Sequence, residues 1–229
     1  MPEVHNPVRI WDLPTRLFHW ALALSVVASF ITAKVGGGAM VWHFRLGFLA
    51  LGLIVFRLVW GFVGGRWSRF GSFVRSPVTV WRYLRGGSAD AAGPGGQEVG
   101  HNPLGGWSVL ALLAVLGLQV ATGLVADDEI ANLGPLNRFV STETALLATS
   151  WHRGVGEKLL IGLVLLHIAA IVFYRVRRGL DLTRPMWTGD KLLPSHTPAS
   201  ADGAAQRLWA LVLALVVAAL VAWVVRLGA

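Results

Sequence analysis

The sequence predicts an all-α integral membrane protein in which transmembrane helices form a bundle. Hydrophobic residues make up 55% of the 229 residues and charged residues only 14%, and the mean hydropathy is +0.60. Such a composition is typical of membrane proteins. The apolar residues also gather into five runs that are long enough to cross a hydrocarbon core as helices. We expect a four-helix core followed by a fifth, C-terminal transmembrane helix.

The first two runs predict a helical hairpin. Residues 1–16 are polar, contain three prolines and are too mixed for a signal peptide, so we expect a cytoplasmic lead-in. The first run covers 17–35, and GGGAM then makes a tight reversal into the second run, 42–63. Each run has a histidine near its first residue, His19 in one and His43 in the other. Because the hairpin reverses direction, the two rings are expected near opposite faces of the membrane.

The remaining runs follow a long loop. Residues 64–103 are rich in glycine and arginine, and their low-complexity centre, GGSADAAGPGGQEVG, cannot pack a core. After this loop come the third run, an acidic loop, the fourth run, a linker and the fifth run, over 104–126, 127–150, 151–174, 175–205 and 208–225. The predicted division of the chain is a four-helix unit at 1–178, a cytoplasmic linker at 179–205 and a transmembrane helix at 206–229.

Cysteine is absent from the chain. This excludes disulfides, iron–sulfur clusters, thiolate zinc sites and covalently attached c-type haem. The net charge of +8 does not indicate nucleic-acid binding, because lysine and arginine concentrate outside the apolar runs, where membrane topology explains them. Histidine is then the one nitrogen ligand that the chain offers to a soft metal ion.

The distribution of lysine and arginine predicts the orientation in the membrane. Basic residues cluster between the second and third runs and again after the fourth, at Arg66, Arg69, Arg75, Arg82, Arg85, Arg175, Arg177, Arg178, Arg184 and Lys191. The opposite loops carry Lys34 and Arg138 against four carboxylates, Asp127, Asp128, Glu129 and Glu143. We therefore expect the N-terminus to be cytoplasmic and, after five spans, the C-terminus to lie outside.

Four histidines lie within the apolar runs, where an ionisable side chain marks a functional site. His152 and His167 are 15 residues apart in the fourth run. A single helix would carry both rings on roughly one side, about 22 Å apart along its axis. With the predicted topology, His152 shares the outer level with His43, and His167 shares the inner level with His19.

Two facing imidazoles at each level suit the axial positions of a haem iron, so the residues predict two bis-histidine haem b groups. Zinc would need more ligands than two imidazoles at each level. Gly47 and Gly156 follow His43 and His152 by four residues. There a missing side chain would leave clearance for a flat macrocycle, although the same glycines could instead permit close helix packing.

Three further residues are candidates for the inner site. Arg57 follows His43 by 14 residues, which places it on nearly the same helix face about 21 Å deeper. Arg57 and Arg16 are candidate partners for the propionates of the inner haem, with snorkelling to the interface as the alternative for Arg57. His101, just before the third run, is a candidate helix cap, propionate contact or part of a quinone pocket.

The motifs around these residues resemble the bacterial cytochrome b561 family, which is similar to the cytochrome b subunits of nickel–iron hydrogenases and formate dehydrogenases. The motifs are RLFHW, WHFRLGFLALGLIVFRLVWG, GHNPLGGW, ATGL, and SWH with LLH, and they lie within about 8–194. The resemblance implies a four-helix diheme protein that exchanges electrons with quinone. It also implies that the axial ligands are His19, His43, His152 and His167. The spacing of the last two is one residue longer than the family leads us to expect, and the fifth helix is an addition.

The function expected from these observations is electron transfer in the bacterial inner membrane, between the quinone pool and a periplasmic partner. That partner would be a c-type cytochrome or a hydrogenase-like protein, drawn to the acidic outer loop. Two alternatives stay open, a superoxide-oxidising quinone reductase of the same family and a non-redox anchor subunit that only holds haem. Membrane lipid surrounds the chain in each case, a homodimer is one open assembly, and the fifth helix is expected to anchor the chain or dock a partner.

Overall fold

A computed structural model describes residues 5–85 and 99–228. Within these residues, five helical stretches are long and apolar enough to cross a membrane. They are Leu13–Val35, Gly37–Val63, Pro103–Val125, Thr142–Arg178 and Ala204–Arg226. The prediction of an all-α membrane bundle is confirmed.

The described part of the chain contains α-helices, three short 3-10 turns and one pair of strands. The helices are α1 Leu13–Val35, α2 Met40–Val63, α3 Phe70–Phe73, α4 Pro77–Leu84, α5 Pro103–Val125, α6 Thr142–Arg153, α7 Val155–Arg178, α8 Thr183–Thr188 and α9 Ala204–Arg226. The 3-10 turns are Gly37–Ala39, Arg66–Ser68 and Asn137–Phe139, and the strands are β1 His5–Arg9 and β2 Asp190–Pro194. The predicted low-complexity centre of the 64–103 loop lies largely at 86–98, outside the described residues.

Polar side chains fix where two of the helices begin. Asp12, directly before α1, accepts a hydrogen bond from the backbone N–H of Thr15 at 2.8 Å. Ser141, directly before α6, accepts one from the backbone N–H of Thr144 at 3.3 Å. The first turn of a helix leaves its N–H groups without intrahelical partners, and these caps satisfy one in each case. As a result α1 begins four residues before the apolar run, and α6 begins well before the predicted fourth helix.

The fourth span is not one continuous helix, which corrects the prediction for 151–174. Its two parts, α6 and α7, are separated at Gly154, where φ is −105° and ψ is −98°. A Cβ at this position would be 2.6 Å from the carbonyl oxygen of Ser150, so the break requires glycine. The angle and the separation of about 22 Å expected between His152 and His167 assumed an unbroken helix, and they do not apply.

The contacts of the chain divide it into two compact units. The first unit consists of Met1–Leu17, Arg57–Ala111 and Leu166–Ala210. The second unit consists of Phe18–Phe56, Leu112–Leu165 and Leu211–Ala229.

The first unit contains a small sheet with its own hydrophobic core. β1 and β2 pair antiparallel, with His5 opposite Pro194 and Arg9 opposite Asp190. The core beside them consists of Val8, Ile10, Trp11, Val99 and Leu193. The stretch 179–205, expected to be a linker, thus contributes α8, β2 and a core residue, while the proposed division into domains stays a prediction.

Asp202 connects the segment before α9 to the start of α1 within the first unit. Its Oδ1 accepts a hydrogen bond from the backbone N–H of Leu13 at 2.9 Å, and its carboxylate pairs with Arg9 and Arg207. Burial alone would raise the pKa of Asp202, but the hydrogen bonds from Arg207 and Leu13 and the nearby positive charges outweigh burial and hold the pKa below its usual range. The entry to the fifth helix is therefore built into the fold of this unit.

The far part of α9 packs within the second unit. A Cβ at Gly52 of α2 would be 3.7 Å from Val217, so α9 faces α2 at this glycine and leaves room for only a small side chain there. At the C-terminal end of α9, Arg138 Nη1 donates to the carbonyl oxygen of Leu227 at 2.9 Å. That bond satisfies a carbonyl that a helix end leaves unpaired.

Candidate functional site

His43 and His152 come together in the second unit. His43 lies in the first turn of α2, and His152 lies in the last turn of α6. Their ring centres are 6.0 Å apart and their ring planes are at 89°. The structure therefore brings two of the four candidate ligands to one place.

Both rings make the same kind of hydrogen bond through Nδ1. His43 Nδ1 donates to the carbonyl oxygen of Ser29 at 2.9 Å, and His152 Nδ1 donates to the carbonyl oxygen of Gln119 at 2.8 Å. A carbonyl oxygen only accepts, so each Nδ1 must carry a proton, and Nε2 of a neutral ring then carries the lone pair. Two positively charged rings at this separation would repel each other. The pair is thus arranged in the tautomer that binds a metal ion through Nε2.

The spacing of the rings fits a haem iron. Two imidazoles on opposite sides of a metal ion, with bonds of about 2 Å, have ring centres about 6 Å apart, since each nitrogen is about 1 Å from its ring centre. The observed separation is 6.0 Å. Among the described residues there is no group of three or more His, Cys, Asp or Glu side chains that could hold a metal ion. A bare ion would lack ligands here, whereas haem brings the remaining ones in its own ring.

Gly123 of α5 makes room for the His152 ring. A Cβ at this position would be 3.0 Å from Cε1 and 3.3 Å from Nδ1 of His152. Any larger side chain would have to push the ring away. The motif ATGL contains this glycine, but sequence reasoning did not identify Gly123 as part of the site.

Gln119 and Thr122, on the same stretch of α5, also hold His152. Gln119 Nε2 donates to the carbonyl oxygen of His152 at 2.7 Å. This carbonyl lies in the last turn of α6, where carbonyl groups have no N–H partner within the helix. Thr122 Oγ1 is 3.4 Å from His152 Nδ1. Sequence reasoning missed both residues, and the available signal was two polar side chains inside an apolar run.

The two glycines predicted to clear a macrocycle differ in their surroundings. A Cβ at Gly47 would meet no atom of the described residues within 4 Å. A Cβ at Gly156 would overlap Gln119 Oε1 and would be 2.7 Å from Trp151 Nε1. The space beside Gly156 is therefore filled by side chains, which favours the packing alternative there.

His19 and His167 belong to different units. His19 lies in α1 within the second unit, and His167 lies in α7 within the first. Their pairing stays a prediction from the sequence.

Arg57 is enclosed by protein in the first unit. Its exposed fraction is 3%, and its guanidinium carbon is 4.9 Å from the ring centre of Phe70. A snorkelling arginine would extend its charge towards the headgroups and solvent. The burial of Arg57 therefore argues against that alternative, and its contact with a propionate stays a prediction.

The contacts of Arg16 indicate a structural role. Its Nη1 donates to the carbonyl oxygen of Trp187 at 2.6 Å, and its Nη2 is 3.9 Å from Asp202. These contacts tie α1 to the stretch before α9. The assignment of Arg16 to a propionate stays a prediction.

His101 is not the cap of α5. That position belongs to Asn102, whose Oδ1 accepts the backbone N–H of Gly105 at 2.6 Å. The His101 ring lies between Trp11 and Phe73, with ring centres 4.8 Å and 4.6 Å away. The structure therefore excludes the role of helix cap for His101, and the propionate contact and the quinone pocket stay predictions.

An acidic cleft lies close to His152 in the second unit. It has a volume of about 320 Å³ and is lined by Asp127, Asp128, Glu129, Leu146, Thr149, Ser150 and Arg153. Hydrogen bonds from the side chain and backbone of Asn132 hold the pKa of Asp128 well below its usual range, so this carboxylate is charged at neutral pH. Three carboxylates against one arginine make the cleft negative.

Residues 10–189 of the chain match the family described as prokaryotic cytochrome b561. The match includes the helices that carry His19, His43, His152 and His167, and α9 lies beyond it. No curated protein and no solved structure matches the chain.

Proposed function

The chain belongs to the prokaryotic cytochrome b561 family, and on that premise we propose that it is a diheme cytochrome that passes electrons between quinone and a periplasmic redox partner. Family membership shows a multi-pass bacterial membrane protein that contains haem b and takes part in electron transfer. The second haem, the bis-histidine ligation, the quinone and the partner are the proposal.

The observation that supports this proposal most directly is the geometry of His43 and His152. Their ring centres are 6.0 Å apart, and both rings present the tautomer with a lone pair on Nε2. Two helices that supply one imidazole each are the usual means of holding a haem inside a helical bundle.

Haem held by His43 and His152 would supply one-electron chemistry. In this chain the carbonyl oxygens of Ser29 and Gln119 would fix the orientation of the two rings and raise their basicity. Gly123 would keep the place of the His152 ring free. These residues hold the ligands and do not themselves react.

The second haem is proposed at His19 and His167, from the sequence and from the family resemblance. Arg57 supports this proposal because it is a buried positive charge, and such a charge suits a propionate. Gly47 is proposed as a clearance position at the outer haem.

The orientation and the partner follow from charge. The excess of lysine and arginine in the loops supports a cytoplasmic N-terminus and a periplasmic acidic cleft. A negative cleft beside His152 suits a partner with a basic surface, such as a c-type cytochrome. Oxidation of superoxide would need a positive approach path for the anion, and the three carboxylates of the cleft oppose it.

The proposal is tested first by counting haem. Purified protein should contain two haem b per chain by pyridine haemochrome assay, and acid acetone should extract both because the chain has no cysteine. One haem per chain would refute the diheme arrangement. The proposal would then be limited to a single haem at His43 and His152.

A second measurement addresses quinone. In membranes, a quinol analogue should reduce both haems, as followed by their absorbance. If dithionite reduces the haems and no quinol does, quinone is not a substrate and the proposal is wrong on that point.

A further inference from the structure

Asp12 is a fully buried carboxylate in the first unit, with an exposed fraction of 0%. Its Oδ1 accepts from the backbone N–H of Thr15 at 2.8 Å and from Trp60 Nε1 at 3.2 Å. Its Oδ2 accepts from the backbone N–H of Gly65 at 3.0 Å and from Ser68 Oγ at 2.8 Å. All four partners donate, so both oxygens act only as acceptors. This is the pattern that an ionised carboxylate satisfies.

The cluster exceeds what a helix cap requires. A cap needs one acceptor for an N–H in the first turn, and serine or asparagine supplies it as well as aspartate does. An amide at position 12 would turn its NH₂ group towards a pair of donors and leave those donors without an acceptor. The surroundings of Asp12 therefore select a negative charge and not merely a polar side chain.

Arg57 is the buried positive charge in the same region as Asp12. Arg57 lies three residues before Trp60 on α2, and Trp60 Nε1 donates to Asp12. Residues three apart share a side of a helix, so α2 brings the Arg57 guanidinium to the part of the first unit that holds the Asp12 carboxylate. Phe70 lies over the guanidinium, with its ring centre 4.9 Å away. Arg57 is 3% exposed and Asp12 is 0% exposed, so water screens their interaction weakly. The first unit therefore buries two opposite charges in the same region.

We propose that Asp12 is the fixed counter-charge of Arg57 and thereby sets the reduction potential of the haem beside Arg57. The inference rests on the proposed function, in which Arg57 meets a propionate of the inner haem. A positive charge near a haem favours the added electron and raises its potential, whereas a negative charge favours the oxidised form and lowers it. Asp12 offsets part of the effect of Arg57, and it is a positioning residue because it acts through Arg57.

The test is a potentiometric titration of the two haems in charge variants. Asp12→Ser keeps an oxygen that can cap Thr15 and removes the charge, and Asp12→Asn removes the charge with less change of shape. In both, the midpoint of one haem should rise while the other stays at its wild-type value. Arg57→Gln should lower the midpoint of that same haem, Arg57→Lys should leave it near wild type, and the double variant with Asp12→Ser should lie between the two single variants.

Two control variants separate charge from hydrogen bonding. Ser68→Ala removes one hydrogen bond to Asp12 and keeps its charge, so neither midpoint should move. Asp202→Asn removes another carboxylate at the start of α1, one already paired with Arg9 and Arg207. It should also leave both midpoints unchanged.

Several outcomes would overturn the inference. They are unchanged midpoints in folded Asp12→Ser protein with both haems, equal shifts of both haems, or no effect of Arg57→Gln. Failure of both Asp12 variants to assemble would assign the residue a purely structural role and would overturn it too. A wild-type protein without two haems would instead refute the proposed diheme function, which the haem assay detects before any variant is made.

Discussion

The His43–His152 pair and the Asp12 cluster both place ionisable groups inside the protein, yet they satisfy those groups differently. Each oxygen of Asp12 accepts two hydrogen bonds. Within the described part of the chain, the rings of His43 and His152 make hydrogen bonds only through Nδ1. Complete pairing gives a fixed charge, whereas a half-paired ring keeps a lone pair for a metal ion. The contrast separates a carboxylate whose two oxygens are fully paired from two rings that each leave Nε2 available for the proposed haem.

The surroundings of the histidine pair extend this contrast. The buried atoms Gln119 Oε1 and Trp151 Nε1 have no hydrogen-bond partner among the described residues. An unpaired buried polar group costs about 1–3 kcal/mol. These two groups beside His152 therefore carry a cost that the two carboxylate oxygens of Asp12 do not carry.

The largest expected effect comes from removing a ligand. His43→Ala and His152→Ala should each lower the haem content from two to one per chain and remove the same component from a potentiometric titration, because each leaves one axial position unfilled. His19→Ala and His167→Ala should remove the other component. If His43→Ala instead matched His19→Ala, the pairing by depth would be wrong.

The next effect concerns the space that the His152 ring occupies. Gly123→Val would place methyl groups where the ring lies, since the Cβ alone is 3.0 Å from His152 Cε1. We expect the outer haem to bind roughly 10–100-fold more weakly, the loss typical of residues that orient a metal ligand. Haem retention during dilution in detergent measures this.

Gly117→Val is the matched control, because it lies on the same helix and a Cβ there would meet no atom of the described residues within 4 Å. Equal haem loss in the two variants would indicate a general effect of valine in α5 and not a contact with His152.

The membrane spans could be predicted from the sequence because length and hydropathy decide them. The break at Gly154 could not, since a glycine within an apolar run is compatible with a continuous helix. Only the backbone angles of Gly154 in the folded chain show that α6 ends there. The same break lies within the His152–His167 interval that is one residue longer than the family resemblance implies.

The residues around the candidate site were less predictable than its histidines. Histidine in an apolar run is a strong signal by itself. Gly123 and Gln119 acquire their roles only through contact with a ring on another helix. The burial of Asp12 likewise depends on Trp60 and on residues beyond it in the chain, so the carboxylate resembled an ordinary polar residue in a lead-in segment.

A smaller effect is expected when one hydrogen bond to Asp12 is removed, and it tests whether these bonds stabilise the fold. Ser68→Ala leaves Asp12 Oδ2 with the backbone N–H of Gly65 as its partner in the cluster, and we expect a loss of about 1–2 kcal/mol in the free energy of unfolding. Unfolding in mixed detergent, followed by circular dichroism, measures this. Haem content should be unchanged, and a loss of haem without a loss of stability would reverse the roles assigned to the two sites.

The smallest effect is expected when a second hydrogen-bond acceptor beside a histidine Nδ1 is removed. Ser29 Oγ is 3.1 Å from His43 Nδ1, and because that nitrogen carries the proton, the hydroxyl can only act as a second acceptor. Ser29→Ala removes this acceptor but keeps the carbonyl bond, so the ring becomes slightly less basic and the oxidised iron is slightly less stabilised. The midpoint of the outer haem should rise by roughly 10–20 mV, a small part of the 59 mV that corresponds to a tenfold change for one electron.

Thr122→Val should act in the same direction and less strongly. Thr122 Oγ1 is 3.4 Å from His152 Nδ1, farther than Ser29 Oγ is from His43 Nδ1 at 3.1 Å, so its contact with the ring is the weaker one. Because the two substitutions act on opposite ligands of one proposed iron, both must move the same haem and leave the other unchanged. A shift in different haems would show that His43 and His152 do not share an iron, even though their rings lie together.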